Sequence, residues 1–380
     1  MNNFRFSNPF KLSIDTLLLI AGMFILTRLV LFGTAYYSFT HFEVLEAKRL
    51  YWHYSEHRFL DLFGYWDTGW YLYVANSGYE YVPLGQGQSN YGFFPLYPML
   101  TKLFSYITGG STYFGGILAS NVLLLVAAAY LYQLALHYYD KRSAMFAVVA
   151  LFVFPGSYLF SGVFSESAFL CFSIACFYHF EKGEYLPSGI AGFLLALTRP
   201  FGVLILLPLA LSFLIKKNIR IRWSYLWLGL IPLGTFLFFL YCYKTTGDFW
   251  FYVHCKEQGW DIQSSNPIKV IVQSLREETD IYLKFNLRYA LGIIILSTLL
   301  IRRIKLPGYV WTMQLILAPL QNGHVNIVCM PRYISVCFPI LLGIGNFAAK
   351  HKVGWLLIAL LMFINIILSA FYALGYQFAA

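Results

Sequence analysis

Long apolar runs separated by short polar or basic segments make up most of this chain. Because about 20 apolar residues are needed to cross a bilayer as a helix, each long run predicts a transmembrane helix. The predicted helices lie near residues 15–38, 112–138, 143–160, 165–180, 223–243, 285–301, 307–322, 332–348 and 353–376.

Two of the apolar runs contain an arginine near the middle. Arg28 lies midway in the first run, where a charge is costly, and it is expected to have a structural partner. The run 187–214 has Thr198, Arg199 and Pro200 at its centre. Because proline interrupts a helix, this run predicts two short helices that meet at the LTRP sequence.

The basic residues predict the orientation of the chain. They lie in the short connections at Arg5, Lys11, Lys141, Arg142, Lys182, 216–222, Arg302, Arg303, Lys305, Lys350 and Lys352. Since positive charges favour the cytoplasmic side, these connections are predicted to be cytoplasmic, and 187–214 must enter the membrane and return. The pattern predicts one all-α polytopic membrane domain over 1–380, with about eleven spans, the N-terminus inside and the C-terminus outside.

Two longer polar segments, 39–111 and 244–284, are then predicted to lie outside. The first begins with apolar residues at helical spacing between charges, over 42–62, which predicts a helix along the bilayer surface. The second mixes aromatic, charged and turn-forming residues, which predicts a loop with short helices, placed as a lid.

Composition limits the classes of function. Hydrophobic residues make up 59% of the chain and charged residues 12%, against about 25% charged in a soluble domain. The formal net charge of +10 lies in short loops, so no nucleic-acid partner is predicted. No Walker loop, GxSxG or HExxH sequence is present, which argues against ATPases, hydrolases and metalloproteases. The six scattered cysteines and the lack of an acidic cluster predict no metal and no cofactor.

The polar stretch 61–98 contains the main candidate residue, Asp67, between Trp66 and Trp70. Binding sites combine aromatic walls with a few polar groups, so Asp67 is a candidate general base for an acceptor hydroxyl. Two other interpretations remain open. The aromatic residues are also typical of an interfacial belt, and Asp67 is also a suitable N-cap for the helix that follows.

The predicted topology brings four more polar groups to the same side as Asp67. Glu166 begins a predicted helix, where an acid suits the helix dipole, or it binds a hydroxyl. Arg199 either pairs with Asp67 or Glu166 or binds a phosphate. Arg332 either holds a phosphate bidentately or extends to the interface. His324 either helps to bind that phosphate or is only solvated.

Five sequence segments together resemble the PIG-V family of mannosyltransferases. They are YWDTGWYLYVANSGYEY, NYGFFPLYPML, FSESAFL, ALTRPFG and PRYISVCFP, in this order. The resemblance implies the GT-C glycosyltransferase fold and a polyprenyl- or dolichyl-phosphate-linked sugar, usually mannose, as donor. Asp67 is then the catalytic base, and the substrate-binding residues are Trp66, Trp70, Tyr71, Phe93, Phe94, Glu166, Arg199, His324, Arg332 and Tyr333.

The eukaryotic members of this family add the second mannose of the glycosylphosphatidylinositol anchor in the endoplasmic reticulum. This chain is similar rather to shorter prokaryotic relatives, which implies a plasma membrane with the site facing outward, and a lipid or glycan acceptor. We expect metal-independent transfer with inversion at the sugar carbon. The alternatives are a transporter or flippase of lipid-linked sugars, and a noncatalytic accessory subunit of a membrane glycosylation complex.

Overall fold

The computed structural model describes residues 8–46, 48, 52–215, 223–262, 264–276, 281–323 and 327–379. These residues form α-helices and short 3₁₀ turns. The helices of the first half are α1 (Ile14–His41), α2 (Thr68–Ser77), α3 (Leu96–Ser105), α4 (Thr112–Tyr138), α5 (Lys141–Val153), α6 (Glu166–Glu181) and α7 (Tyr185–Ala196). Those of the second half are α8 (Leu206–Ile215), α9 (Leu230–Thr246), α10 (Phe251–Trp260), α11 (Pro267–Arg276), α12 (Ile281–Leu299), α13 (Ile301–Ile304), α14 (Leu306–Leu320), α15 (Met330–Ser335), α16 (Phe338–Lys350) and α17 (Gly354–Ala373).

Within the described ranges, four helices are long and apolar enough to cross a membrane. They are Ile14–His41, Thr112–Tyr138, Trp223–Thr246 (a 3₁₀ turn continued by α9) and Gly354–Ala373. Shorter apolar helices cover Tyr185–Ala196, Pro200–Ile215 and Phe338–Lys350. The all-α polytopic class is therefore confirmed, while the total of about eleven spans stays a prediction.

The helical pair expected in 187–214 is present. Helix α7 ends at Ala196, and a 3₁₀ turn over Pro200–Ile205 leads into α8. Between them, Arg199 has an extended backbone with φ −156° and ψ 153°. The proline that follows cannot donate the hydrogen bond that a continuous helix requires, so the chain turns and holds the Arg199 side chain at the junction.

Two predicted spans are wrong in their extent. The span 143–160 ends at Val153, because Pro155 forces an extended residue before it and Gly156 has φ +94°. A Cβ at Gly156 would lie 2.8 Å from the Pro331 carbonyl oxygen, so the two chain segments approach closely there. The span 332–348 is likewise broken into α15 and α16, with Val336 and Cys337 between them.

The surface helix predicted over 42–62 does not extend over that whole segment. Among the described residues, 42–45 and 52–59 are not helical, Glu46 and Lys48 are helical, and a 3₁₀ turn forms at Leu60–Phe63. The buried Asp61 carboxylate accepts hydrogen bonds from the backbone N–H groups of Tyr54 and Ser55, both at 2.8 Å. The buried Lys48 ammonium donates to the carbonyls of Trp52 and Asp61, both at 3.0 Å. These bonds replace the helical ones and fold the segment around Asp61.

Arg28 has the structural partners that its position requires. Its guanidinium donates to the carbonyl oxygens of Phe152, at 2.9 Å, and Ser157, at 2.5 Å. It also donates to the Ser157 hydroxyl at 3.0 Å. A cation thus satisfies carbonyls at the C-terminal end of α5, where helix carbonyls lack partners within the helix.

The basic connections that the structure describes meet at one end of the bundle, whereas Arg5 and 216–222 lie outside the described residues. The Lys11 carbonyl accepts a bond from Gln133 at 3.4 Å, and the Lys305 ammonium lies 3.6 Å from the centre of the Tyr138 ring. Helix α6 ends at this same end of the bundle, since its last residue, Glu181, lies 3.9 Å from His137 in the last turn of α4. Its first residue, Glu166, is therefore about 24 Å away, at the opposite end. Which end faces the cytoplasm remains a prediction.

Candidate active site

Four charged side chains meet at the end of the bundle that is opposite the basic connections. Asp67 precedes α2, Glu166 begins α6, Arg199 lies between α7 and α8, and Arg332 belongs to α15. Residues separated by up to 265 positions in the sequence are thus in direct contact. The fold brings these elements together around a small group of charges.

These charges form one network of ion pairs. Arg332 Nη1 lies 2.5 Å from Asp67 Oδ2, and Arg332 Nε donates to Glu166 Oε1. Arg199 Nη2 donates to the same Glu166 oxygen. The side chains of Glu166 and Arg332 are 0% and 6% exposed, whereas Asp67 is 31% exposed. Two arginines therefore compensate two carboxylates, and Asp67 is the acid that remains accessible.

Several interpretations that the sequence left open are now decided. Asp67 is at the N-cap position of α2, but its side chain makes no capping hydrogen bond. Arg199 pairs with Glu166 and not with Asp67. Arg332 is buried and paired, so its extension to the interface is wrong. Trp66, the residue before Asp67, has a backbone φ of +36°, which is an uncommon conformation for a residue with a side chain.

Neighbouring groups fix the network in place. The Ser165 hydroxyl lies 2.9 Å from both Arg199 Nε and the Tyr71 hydroxyl. The Thr68 hydroxyl donates to the Val163 carbonyl at 3.2 Å and accepts from the Tyr65 N–H at 3.0 Å. Because these bonds join α2 to the turn before α6, they hold Asp67 at a fixed distance from Glu166.

The network borders a cavity of about 390 Å³, here called the Asp67 cavity. The residues expected there that do line it are Asp67, Tyr71, Phe93, Phe94, Arg199, Arg332 and Tyr333. Glu166 lies behind the arginines and is not part of the wall. Trp66 and Trp70 line a separate cavity and not the wall around Asp67, and their role in substrate binding stays a prediction. His324 lies outside the described residues.

An apolar groove of about 540 Å³ adjoins the Asp67 cavity. The two share Pro200, Phe201, Ala318 and Gln321 as lining residues. The rest of the groove lies between the Pro200–Ile205 turn and α14 and is formed mainly by Leu204, Tyr309, Val310, Met313 and Leu317. A charged chamber thus adjoins an apolar one.

Lys256 is a cavity residue that the sequence analysis missed. It lies on α10, and its ammonium is 4.7 Å from the centre of the Phe93 ring and 4.0 Å from that of Trp260. Burial lowers the pKa of Lys256, although the charge of Asp67 acts to raise it. Among the described residues it forms no ion pair, so its charge is available to an anion. The sequence feature that could have identified Lys256 is its position among aromatic residues in the predicted lid.

The carboxylate that faces the cavity is ionised in the resting protein. Burial acts to raise the pKa of Asp67, but the charges of Arg332, Lys256 and Arg199 outweigh burial and lower this pKa below its ordinary value of 3.8. The described part of the chain has no group of three or more metal-ligating side chains. Because both carboxylates of the network are bound to arginines, the donor set does not suit a divalent cation.

The fold is similar to those of several solved proteins. The crystal structure of ArnT from Cupriavidus metallidurans bound to undecaprenyl phosphate matches with a TM-score of 0.54 and 13% identity. The match covers 92% of this chain and 63% of ArnT, and the apo state of that protein gives a TM-score of 0.53 with 14% identity. This chain therefore spans less than two thirds of the length of ArnT.

A second protein has the same fold. The archaeal oligosaccharyltransferase AglB from Archaeoglobus fulgidus, in complex with an inhibitory peptide and a dolichol-phosphate, matches with a TM-score of 0.50 and 11% identity. The match covers 96% of this chain and 57% of AglB. No family model and no curated protein matches the sequence, so membership of the PIG-V family stays a prediction. The architecture itself is the GT-C glycosyltransferase fold.

Proposed function

We propose that the protein is an integral-membrane glycosyltransferase. It transfers a hexose, mannose according to the PIG-V resemblance, from a polyprenyl- or dolichyl-phosphate to a hydroxyl of a lipid or glycan acceptor. The observation that supports this most directly is the pair of adjoining chambers. An accessible carboxylate and the ammonium of Lys256 in one chamber adjoin an apolar groove in the other, as a sugar on a lipid phosphate requires.

The prenyl chain of the donor occupies the apolar groove in this proposal. Its wall beyond the shared residues is formed mainly by aliphatic and aromatic side chains, and burial of a prenyl chain there is favourable in proportion to its area. The phosphate then lies at the junction, within reach of Arg199 and Lys256. Undecaprenyl phosphate in ArnT and a dolichol-phosphate in AglB are lipids of the same kind.

Asp67 acts as the general base. Its carboxylate takes the proton of the acceptor hydroxyl while that oxygen forms a bond to the anomeric carbon. The bond from this carbon to the phosphate oxygen breaks, and the polyprenyl phosphate leaves with the electron pair. Arg199 and Lys256 stabilise the negative charge on the departing phosphate. A single displacement of this kind inverts the anomeric centre.

Donor binding raises the strength of this base, and the pH profile tests that effect. A phosphate anion near Lys256 and Arg199 offsets the positive charges that lower the Asp67 pKa. Since kcat/KM reports the free enzyme and kcat the complex, the acid limb of kcat is expected at higher pH than that of kcat/KM. Both limbs should disappear from the residual activity of Asp67→Asn. Coincident limbs would contradict the proposal.

The lowered pKa of Asp67 in the free protein also affects the stability of the fold at low pH. The folded-state pKa of Asp67 lies below its ordinary value of 3.8, so its ion pair with Arg332 stabilises the fold above that value. This contribution is lost as pH falls through the lowered pKa.

We further propose that transfer needs no metal ion, because Arg199, Lys256 and Arg332 supply the positive charge. The rate with a chelator in excess should equal the untreated rate. A loss of activity that added Mg²⁺ or Mn²⁺ restores would contradict this.

Lys256 is proposed to bind the donor phosphate. Changing Lys256 to Met removes a charge-assisted hydrogen bond, so undecaprenyl phosphate should bind roughly tenfold to a hundredfold more weakly. The affinity for undecaprenol, which has no phosphate, should be unaltered. Lys102→Met, an exposed lysine on α3, is the matched control. Equal weakening for both lipids would contradict the phosphate contact.

The outer face of a prokaryotic plasma membrane is the proposed location, and the endoplasmic reticulum is the alternative.

The function is tested by incubating the purified protein in lipid vesicles with polyprenyl-phosphate-mannose labelled in the sugar and a membrane lipid extract. Label should pass to an acceptor in the extract. If no label passes from mannose, glucose or galactose donors, the transferase proposal fails. Transport of the intact donor across the membrane would then support the flippase alternative. If the protein shows neither transfer nor transport, the result would support an accessory subunit.

A further inference from the structure

A second cavity lies on the other side of α2 from the Asp67 cavity. Its volume is about 350 Å³, and we call it the aromatic cleft. Five aromatic side chains and one carboxylate dominate its wall: Trp52, Tyr54, Trp66, Trp70, Tyr73 and Glu80. The proposed donor site does not use any of these residues.

The two cavities share one short helix. Asp67 and Tyr71 border the Asp67 cavity, whereas Trp66, Gly69 and Trp70 border the aromatic cleft. Positions four apart lie on one face of a helix, which explains why neighbours in sequence face different cavities. The Trp70 ring stacks on Phe93 at 5.7 Å with 15° between the planes, and Phe93 borders the Asp67 cavity. At this point only the stacked rings of Trp70 and Phe93 separate the two cavities.

The cleft has the chemistry of a saccharide site. A pyranose ring has a face of C–H groups, which packs on an aromatic ring, and an edge of hydroxyls, which hydrogen-bond. The Trp52 and Trp66 rings lie 5.1 Å apart at 54°, so they form two differently oriented walls. The exposed Glu80 supplies a carboxylate that accepts hydrogen bonds from hydroxyls.

Local structure fixes the polar group of the cleft. The Asn90 side chain accepts from the Glu80 N–H at 3.1 Å and donates to the Gly78 carbonyl at 3.0 Å. The Tyr73 hydroxyl donates to Glu80 Oε2. A groove for a lipid tail needs no carboxylate, and a carboxylate in the groove would disfavour binding of the tail. The polar edge therefore favours a saccharide over an acyl or prenyl chain.

The backbone at Trp66 supports a binding role independently. Its φ of +36° is costly for a residue with a side chain, and such conformations are often retained at binding and catalytic sites. Here the strained turn directs consecutive side chains, Trp66 and Asp67, into different cavities. It joins the aromatic cleft to the carboxylate that is proposed to act as base.

We propose that the aromatic cleft binds the saccharide part of the acceptor. This inference rests on the proposed transferase function and deepens it, because it makes the acceptor a glycan or a glycolipid with a sugar head group. One sugar of the acceptor packs on Trp52 and Trp66 with its hydroxyls towards Glu80. The reacting hydroxyl reaches Asp67 beside the Trp70–Phe93 pair.

Binding of free sugars to the purified full-length protein tests this without any transfer reaction. Disaccharides of mannose, glucose and galactose are titrated by calorimetry into wild type, Trp52→Ala and Glu80→Gln. At least one disaccharide should bind wild type saturably, and each variant should weaken its binding about tenfold. Glu80 is exposed, so its substitution keeps the test valid even if Trp52→Ala does not fold. Trp223→Ala, at an 88% exposed tryptophan, is the control.

The outcomes separate the cleft from the transferase proposal. Equal affinities in wild type, Trp52→Ala and Glu80→Gln would overturn the inference, as would the absence of saturable binding. Binding of undecaprenyl phosphate, measured on the same samples, reports the donor site by itself. If the disaccharide binds as expected but no donor supports transfer, the cleft stands and the proposed function fails. If transfer occurs and both variants keep the acceptor KM of wild type, only the cleft inference fails.

Discussion

Asp67→Asn is expected to reduce sugar transfer by about 100-fold to 10,000-fold, the usual contribution of a general base. The substitution keeps the volume of the side chain and leaves an oxygen that accepts a hydrogen bond from Arg332, so the cavity should keep its shape. Only the ability to take a proton is lost. The rate of label transfer from polyprenyl-phosphate-mannose, at saturating donor, measures the effect.

The control for this substitution is Asp15→Asn, an exposed aspartate at the basic end of α1, which should keep the wild-type rate. Binding of undecaprenyl phosphate by Asp67→Asn should stay within a few-fold of wild type, since Arg199 and Lys256 remain. A variant that binds the lipid phosphate and transfers sugar at an undiminished rate would remove Asp67 from the mechanism.

Glu166→Gln is expected to cause the largest loss of stability. Glu166 is 0% exposed and accepts hydrogen bonds from both Arg199 and Arg332 through one oxygen. Removing its charge leaves one negative charge for two buried guanidinium groups, and uncompensated buried charge costs about 3 to 5 kcal/mol. Thermal unfolding of the purified protein, followed by intrinsic fluorescence, should show a clear fall in the midpoint temperature.

A matched change at an exposed glutamate separates this effect from the loss of any glutamate. Glu56→Gln lies in the exposed part of the loop before Leu60 and should change the midpoint little, because exposed charges contribute roughly 1 kcal/mol or less. Equal midpoints for Glu166→Gln and wild type would show that the buried network is not needed for the fold. Loss of transfer in a fully stable Glu166→Gln would instead show that Glu166 positions Arg199 and Arg332 for the reaction.

The sequence identified the charged residues of the site better than their partners. Asp67, Glu166, Arg199 and Arg332 stood out because charges beside apolar runs are costly. Whether Arg199 pairs with Glu166 or with Asp67 depends on how α2, α6 and the junction between α7 and α8 approach each other, which no local pattern contains. Lys256 did not stand out, because a lysine in a polar outer loop is ordinary until the fold brings it to the Asp67 cavity.

The aromatic residues show the same limit. Trp66 and Trp70 flank Asp67 in sequence, yet the strained backbone at Trp66 and the helical period of α2 turn them towards the aromatic cleft. The apolar runs also predicted most helices correctly, and the proline after Arg199 predicted the break there. Helical spacing of apolar residues failed over 42–45 and 52–59. Lys48 and Asp61 bond to the backbone in this segment, and side-chain to backbone bonds of this kind compete with a helix.

The central claim is that a lipid-linked sugar is cleaved from its phosphate in the Asp67 cavity, and one measurement tests it directly. Polyprenyl-phosphate-mannose labelled in both the sugar and the phosphate is added to vesicles that contain the purified protein and an acceptor extract. A glycosyltransferase separates the labels: the sugar label passes to the acceptor while an equal amount of labelled polyprenyl phosphate is released. If both labels stay in one molecule and only change sides of the membrane, the protein transports the donor and the account is wrong.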